Sequence, residues 1–150
     1  MASALDYQVL IAEPREEMQL TWLAEDGELL AMMPDDAVVK IQPDQNTSII
    51  TLTHDPKLDD MALLEALKSD AFYIGALGSL RTNDKRRERL GLFDLTPDQI
   101  ARLHGPVGLN IGSKTPAEIA VSILAELIEL KHKANEQQGC PTAIRAVSNG

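Results

Sequence analysis

The sequence is poor in cysteine and in aromatic residues and has no long apolar run, and these shortages exclude several classes of protein. The single cysteine, Cys140, excludes an internal disulfide and a cysteine-rich metal site. His104 and His132 have no partner at a metal-ligand spacing, so no metal site is expected. No Ser-x-Gly elbow or Cys/His pattern indicates a catalytic nucleophile, so no catalytic residue is predicted.

The absence of membrane and export signals bears on location. No apolar run approaches the roughly 18 residues of a membrane-spanning helix, and no signal-peptide pattern is present. A soluble, cytoplasmic protein without membrane association is therefore expected.

The charge is acidic overall but positive in one short segment. With 14 Lys and Arg against 23 Asp and Glu, the formal net charge is −9 and the pI is about 4.7. This balance argues against nucleic-acid binding. Residues 81–89 nevertheless contain five cations and only two acids, so they form a positive island in an acidic chain.

Hydrophobic runs and capping signals predict an α/β fold. Short strands are predicted at Tyr7–Ala12, Ala37–Val39, Ser48–Thr53 and Ala71–Gly75. A helix is predicted over residues 15–24, and capped helix starts are predicted at Asp55-Pro56, Thr96-Pro97 and Thr115-Pro116. The order strand–helix–strand–helix indicates a parallel sheet with helices packed on it.

The length of 150 residues predicts one domain with one core. The helix from Pro116 carries two adjacent apolar stripes and is predicted to run about four to five turns. Because the periodicity stops near Ala134, the domain is predicted over residues 1–134, with a mobile tail over residues 135–150.

The first candidate site lies in YIGALGSLRTNDKRRERL, residues 73–90. Two glycines follow a strand there, and a serine can cap the next helix, whose N–H groups and positive dipole end attract anions. A cation in the first helical turn opposes the dipole unless an anion lies nearby. A glycine turn before a solvated, charged helix explains the same pattern, because GxxG is a weak motif. The candidate ligand-binding residues are Gly75, Gly78, Ser79, Arg81 and Lys85.

The second candidate site is the glycine-rich segment GPVGLNIGSKTP, residues 105–116. It differs from a P-loop because a serine separates the lysine from the last glycine, so an ATP or GTP site is not supported. An anion-binding helix start and a well-capped turn both fit this segment. The candidate residues are Gly108, Gly112, Ser113 and Lys114.

Polar residues that follow predicted strands are further candidates. Thr53-His54-Asp55 closes an apolar strand, where open α/β sheets bind ligands. His54 could hydrogen-bond a ring or a phosphate, or be an ordinary loop residue, and Asp55 also fits as a helix cap. Glu13 closes the first predicted strand of this chain. In dinucleotide-binding folds an acid at the end of the second strand binds ribose hydroxyls, although a glutamate before Pro-Arg is also commonplace.

Five segments together resemble one protein family. They are IAEPREE (11–17), LTHDPKLDD (52–60), FYIGALGS (72–79), RRERL (86–90) and LHGPVGLNIGSKTPAEIAVSILAEL (103–127). Their order is similar to that of the Rossmann-like domain of XdhC/CoxI proteins, which are accessory factors for molybdenum hydroxylases. The resemblance covers about residues 7–130 and implies a three-layer Rossmann-like parallel sheet.

The resemblance also implies a function. Such proteins bind the molybdenum cofactor (molybdopterin), assist its sulfuration by a cysteine desulfurase, and deliver it to a xanthine dehydrogenase-type enzyme. The phosphate on the pterin part of the cofactor then explains both glycine-rich segments. An NAD- or FAD-binding oxidoreductase domain is one alternative, and an interaction module without cofactor is another.

The sequence departs from the family pattern in two places. The chain opens at the segment that corresponds to the second strand of the family, so the first strand and its glycine loop are expected to be missing. Exposed strand edges would then favour a homo-oligomer. In addition, Leu80 stands where family members often have arginine directly after Gly-Ser.

Overall fold

The strands form two separate parallel sheets. A computed structural model of the chain describes residues 2–21, 27–53 and 55–138. The strands within these ranges are β1 (Leu10–Ala12), β2 (Glu28–Leu30), β3 (Ser48–Thr51), β4 (Tyr73–Ala76) and β5 (Leu103–His104). β1 pairs with β2, and the second sheet has the order β3-β4-β5; every pair is parallel. The prediction of an α/β fold with parallel strands is confirmed.

The three helices predicted from a cap followed by proline begin where expected. The described helices are a short 3-10 helix (Ala2–Leu5), α1 (Glu16–Gln19), α2 (Pro34–Ile41), α3 (Pro56–Ala66), α4 (Leu80–Leu90), α5 (Pro97–Ala101) and α6 (Pro116–Gln138). Asp55 caps α3 by accepting a hydrogen bond from Lys57 N at 3.0 Å. Thr96 and Gln99 form the reciprocal capping box at the start of α5.

The strand predicted at Ala37–Val39 is wrong, because these residues lie within α2. Two adjacent valines favour a strand, but the flanking residues favour a helix. Pro34 occupies the first helical turn, two aspartates follow it, and Lys40 lies in the last turn, as the helix dipole prefers. The strand in this part of the chain is instead β2, which was not predicted.

The chain divides into two compact units, Leu10–Val107 and the combination of Met1–Val9 with Gly108–Gly150. In the first unit, α3 contacts β3, β4, α2 and α4, and the core includes Leu63, Leu67 and Ile74. All of β4 is buried, as is typical of a parallel strand covered on both faces.

In the second unit, α6 is the main element. It continues through Gln138, beyond the domain end predicted at residue 134. Ile123 and Leu127, from one of its predicted apolar stripes, are buried. Lys131 Nζ lies 5.5 Å from the centroid of the Tyr7 ring. Residues 139–150 lie outside the described residues, so the mobile tail stays a prediction.

Candidate anion-binding site

The carboxyl ends of β3, β4 and β5 meet at one edge of the three-stranded sheet, because the strands are parallel. Thr51 pairs with Ala76, and Leu77 N donates to Thr51 O at 2.9 Å. Val107 N donates to Ala76 O at 3.1 Å. The segments that follow the three strands therefore begin side by side, at the edge where open α/β sheets bind ligands.

The β4–α4 loop, residues 77–79, begins α4 with free backbone donors. Gly78 has a φ of 132°, a conformation that residues with a side chain rarely adopt. Ser79 caps the helix, its Oγ accepting from Thr82 N at 3.1 Å. In the described ranges, the backbone N–H groups of Gly78, Ser79, Leu80 and Arg81 donate to no protein acceptor. Such donors at the positive end of a helix attract anions.

Two of the predicted cations extend from this helix. Arg81 and Lys85 are exposed, and neither forms an ion pair or hydrogen bond with any described residue. α4 carries no acid in its first turn, whereas all five other described α-helices do. Arg81 therefore lies at the positive end of the dipole with no counter-ion in the part of the chain that the structure describes. Arg89, at the same spacing, instead donates from Nε to Asp60 Oδ2 at 2.8 Å.

Gly75 and Glu13 have local structural roles. Gly75 lies inside the buried strand β4, where an added Cβ would meet Val107 Cγ2 at 2.6 Å. This glycine therefore makes room for the packing of its neighbours. The Glu13 carboxylate accepts from Arg15 Nη2 at 2.7 Å.

The structure describes Thr53 and Asp55 of the polar segment after β3. His54 lies outside the described residues, so its predicted contact with a ligand stays a prediction. Thr53 and Asp55 on either side of it bond to each other, Asp55 N donating to Thr53 Oγ1 at 3.2 Å. Asp55 is the N-cap of α3, which accounts for its identity without a ligand.

The pre-α6 loop, residues 108–115, begins its helix with a carboxylate already bound. Glu118 Oε1 accepts from Thr115 N at 2.9 Å and from Lys114 N at 3.1 Å. Thr115 Oγ1 accepts from Glu118 N at 3.2 Å, which completes a capping box. Hydrogen bonds from the backbone of Thr115, and then of Lys114, lower the pKa of Glu118. The alternative of a well-capped turn describes this loop.

The other predicted residues of the pre-α6 loop differ in backbone conformation, packing and exposure. Gly108 has a φ of 90°, and an added Cβ would overlap Ser122 Oγ. Gly112 has a φ of 76° with open space around it. Ser113 is half-buried, and the Lys114 side chain is exposed. Ligand binding by these residues stays a prediction.

A buried ion-pair network that was not predicted lies behind the β4–α4 loop. Arg86 and Asp59 are 3% and 2% exposed, and Arg86 Nη2 donates to Asp59 Oδ2 at 3.3 Å. The Thr53 hydroxyl donates to Asp59 Oδ1 at 2.9 Å. Burial raises the pKa of Asp59 more than the Thr53 hydroxyl and the Arg86 guanidinium lower it.

A signal for this network was present in the sequence. The segment LTHDPKLDD contributes the two adjacent aspartates, and RRERL contributes the arginines that pair with them: Arg86 with Asp59 and Arg89 with Asp60. The opposite charges of the two segments were the available evidence. Nothing in their local pattern showed that one pair would be buried and the other not.

The described part of the chain shows neither a metal centre nor a membrane helix. None of its helices is long and apolar enough to span a bilayer. It also lacks any group of three or more His, Cys, Asp or Glu side chains that could hold a metal ion.

The parallel sheets, the flanking helices and the loop at the carboxyl edge define a Rossmann-like α/β domain. The chain belongs to the XdhC Rossmann domain family, whose family model matches residues 1–127. The family inferred from the five sequence segments is thereby confirmed.

Three curated relatives are similar to this chain. It is 37% identical over 94 residues to the uncharacterized protein YqeB of Escherichia coli K12. It is 28% identical over 116 residues to the molybdenum cofactor insertion chaperone PaoD of the same organism, and 29% identical over 106 residues to a probable xanthine dehydrogenase subunit of Bacillus subtilis 168. The alignments cover 63%, 77% and 71% of this chain but only 17%, 36% and 30% of the three relatives, respectively.

A solved structure supports the fold. The crystal structure of a xanthine dehydrogenase from Bacillus halodurans matches with a TM-score of 0.69 and 28% identity. The match covers 88% of this chain and 38% of that chain. The Rossmann-like fold is thus shared with a protein more than twice as long.

Proposed function

We propose that this chain is a molybdenum-cofactor-binding domain of an accessory protein that serves a xanthine dehydrogenase-type molybdenum hydroxylase. Membership of the XdhC Rossmann domain family supports this role. So does the similarity to PaoD, which is a molybdenum cofactor insertion chaperone, and to a probable subunit of xanthine dehydrogenase. The observation that carries the proposal is the start of α4, where backbone N–H groups and the exposed Arg81 have no bonding partner among the described residues.

In this proposal the phosphate of the pterin binds at the N-terminus of α4. The N–H groups of Gly78, Ser79, Leu80 and Arg81 donate to its oxygens, and Arg81 and Lys85 add positive charge. On a chain with a net charge of −9, the exposed Arg81 and Lys85 also attract an anionic ligand to this edge. The chain's task is to bind and hand over the cofactor, so it needs no catalytic residue. Sulfuration by a cysteine desulfurase stays a prediction from the family resemblance, and self-association stays a prediction from the expected exposed strand edges.

Anaerobic calorimetry with molybdenum cofactor tests the proposal. The variant Arg81→Ala/Lys85→Ala should bind at least about tenfold more weakly than the wild type, because one charge-assisted hydrogen bond contributes roughly 1.5–3 kcal/mol. The matched control is Lys40→Ala/Lys68→Ala. It removes two exposed cations near the carboxyl ends of α2 and α3, away from the carboxyl edge of the sheet.

The control variant should bind like the wild type. Equal affinity of all three proteins would remove the α4 cations from the site. Parallel titrations with NAD and FAD address the oxidoreductase alternative: binding of either with redox turnover, and no binding of molybdenum cofactor, would replace the proposal. No binding of any of the three would leave an interaction module.

A further inference from the structure

We propose that Asn83 and Arg86 are positioning residues, which orient the peptides of the β4–α4 loop so that consecutive N–H groups face the anion. The inference rests on the proposed function, because it assigns a role to residues behind that anion site. Both residues belong to α4, but neither can touch a ligand, since Asn83 is fully buried and Arg86 is 3% exposed.

The two side chains hold three consecutive carbonyl groups. Arg86 Nη1 donates to Leu77 O at 3.1 Å. Asn83 Nδ2 donates to Gly78 O at 3.2 Å and to Ser79 O at 3.1 Å. The carbonyls of the whole loop therefore point toward one buried cluster of donors.

The orientation of these carbonyl groups determines where the neighbouring N–H groups point. In a planar trans peptide, the carbonyl of one residue and the N–H of the next point in opposite directions. Fixing the carbonyls of residues 77, 78 and 79 toward the buried side chains therefore points the N–H groups of Gly78, Ser79 and Leu80 away from them. Three successive N–H groups with a common orientation form a concave anion-binding surface, and a Gly at 78 permits the required φ of 132°.

The positioning residues are themselves fixed in place. Asn83 Oδ1 accepts from Arg86 Nη1 at 2.6 Å, and Arg86 Nη2 is held by Asp59. A Cβ on Gly105 would overlap the Asn83 side chain, so that glycine leaves the space that the amide occupies. Asn83 thus has both of its Nδ2 hydrogens and its Oδ1 bonded, which leaves its amide only one orientation.

Amide NMR of the full chain with inorganic phosphate as the probe tests this inference. In the wild type, phosphate should shift the amide resonances of Gly78, Ser79 and Leu80 together. Asn83→Ala should weaken phosphate binding at least about tenfold, since Gly78 O loses its donor and Ser79 O keeps only the backbone N–H of residue 83. The matched control is Arg87→Ala, because Arg87 also donates to two backbone carbonyls, Leu103 O at 3.2 Å and Gly105 O at 2.9 Å, but none in the loop.

Arg87→Ala should keep the wild-type affinity for phosphate within about twofold. If general destabilisation weakened binding in Asn83→Ala, Arg87→Ala should weaken binding as well. Unchanged affinity in a folded Asn83→Ala protein would overturn the inference. If that variant does not fold, the wild-type spectrum decides: the inference fails if phosphate leaves any of the three amides unshifted. Joint shifts with phosphate, in a chain that does not bind molybdenum cofactor, would support this inference and contradict the proposed function.

Discussion

The two glycine-containing loops of this chain begin helices with opposite electrostatics. The pre-α6 loop binds the carboxylate of Glu118, which accepts hydrogen bonds from the backbone N–H groups of Lys114 and Thr115. In the described residues, the β4–α4 loop and the first turn of α4 contain no such carboxylate, and Arg81 lies at the positive end of the helix dipole. At the start of α6 a carboxylate of the chain accepts two backbone N–H groups, whereas the start of α4 has donors and a cation with no bonding partner among the described residues.

The comparison shows that glycine spacing does not decide whether such a loop can bind an anion. Both loops have glycines and a hydroxyl cap, Ser79 in one and Thr115 in the other. They differ at the third helical residue, which is Thr82 in α4 and Glu118 in α6. A glutamate there completes a capping box and fills the site, whereas a threonine does not.

The largest expected effect comes from breaking the buried network behind the β4–α4 loop. Arg86→Ala leaves Asp59 buried without its ion-pair partner, so the free energy of unfolding should fall by about 3–5 kcal/mol. The control Arg89→Ala breaks a pair in which the arginine is 41% exposed. It should cost no more than about 1 kcal/mol.

Urea unfolding of the wild type and both variants measures these differences. A similar loss in the two variants would show that burial does not distinguish the pairs, and the account of the loop's support would then be wrong.

A single substitution in α4 should give the β4–α4 loop the capping box of the pre-α6 loop. Thr82→Glu creates the capping box that α6 already has, and places a carboxylate among the free N–H groups. The free energy of unfolding should rise by about 0.5–1 kcal/mol, while phosphate binding should be lost.

Thermal unfolding and a phosphate titration of Thr82→Glu check both parts. Thr82→Gln is the control, since it can bond the same backbone group without adding a negative charge. If Thr82→Glu binds phosphate as the wild type does, the N-terminus of α4 is not the site.

The smallest expected effect is a loss of folding stability at acid pH, when Glu118 becomes protonated. Because the pKa of Glu118 is lowered in the folded chain, its carboxylate contributes stability above the ordinary glutamate pKa. That contribution is lost as the pH falls through the lower, folded pKa. A carbon-detected NMR titration should place the Glu118 midpoint below the ordinary pKa of a glutamate carboxyl. A midpoint at or above that pKa would contradict the bound carboxylate.

The helices that the sequence predicts well are those with local start signals. Asp55, Thr96 and Thr115 each precede a proline and cap a helix, so a few neighbouring residues contain the whole signal. Strand β2 has only three residues, which is too short to give a clear pattern. Helix α2 contains adjacent valines, whose high β-propensity led to a strand prediction within the helix.

The site was predictable in part. Gly78, Ser79 and Arg81 could be found because a strand, a glycine turn and a capped helix follow one another in sequence. The network behind them could not, since Arg86 meets Asp59 across 27 positions of the chain. The capping box of Thr115 and Glu118 is a local signal and was predictable. The sequence did not show that the Glu118 carboxylate accepts the N–H groups of Lys114 and Thr115, which are then not available to an external anion.

The most direct test of the central claim is calorimetry with molybdenum cofactor on three proteins: the wild type, Thr82→Glu and Glu118→Gln. The account predicts binding to the wild type, at least about tenfold weaker binding to Thr82→Glu, and unchanged binding to Glu118→Gln. Undiminished binding to Thr82→Glu would contradict it, and tighter binding to Glu118→Gln would assign the anion to the pre-α6 loop instead.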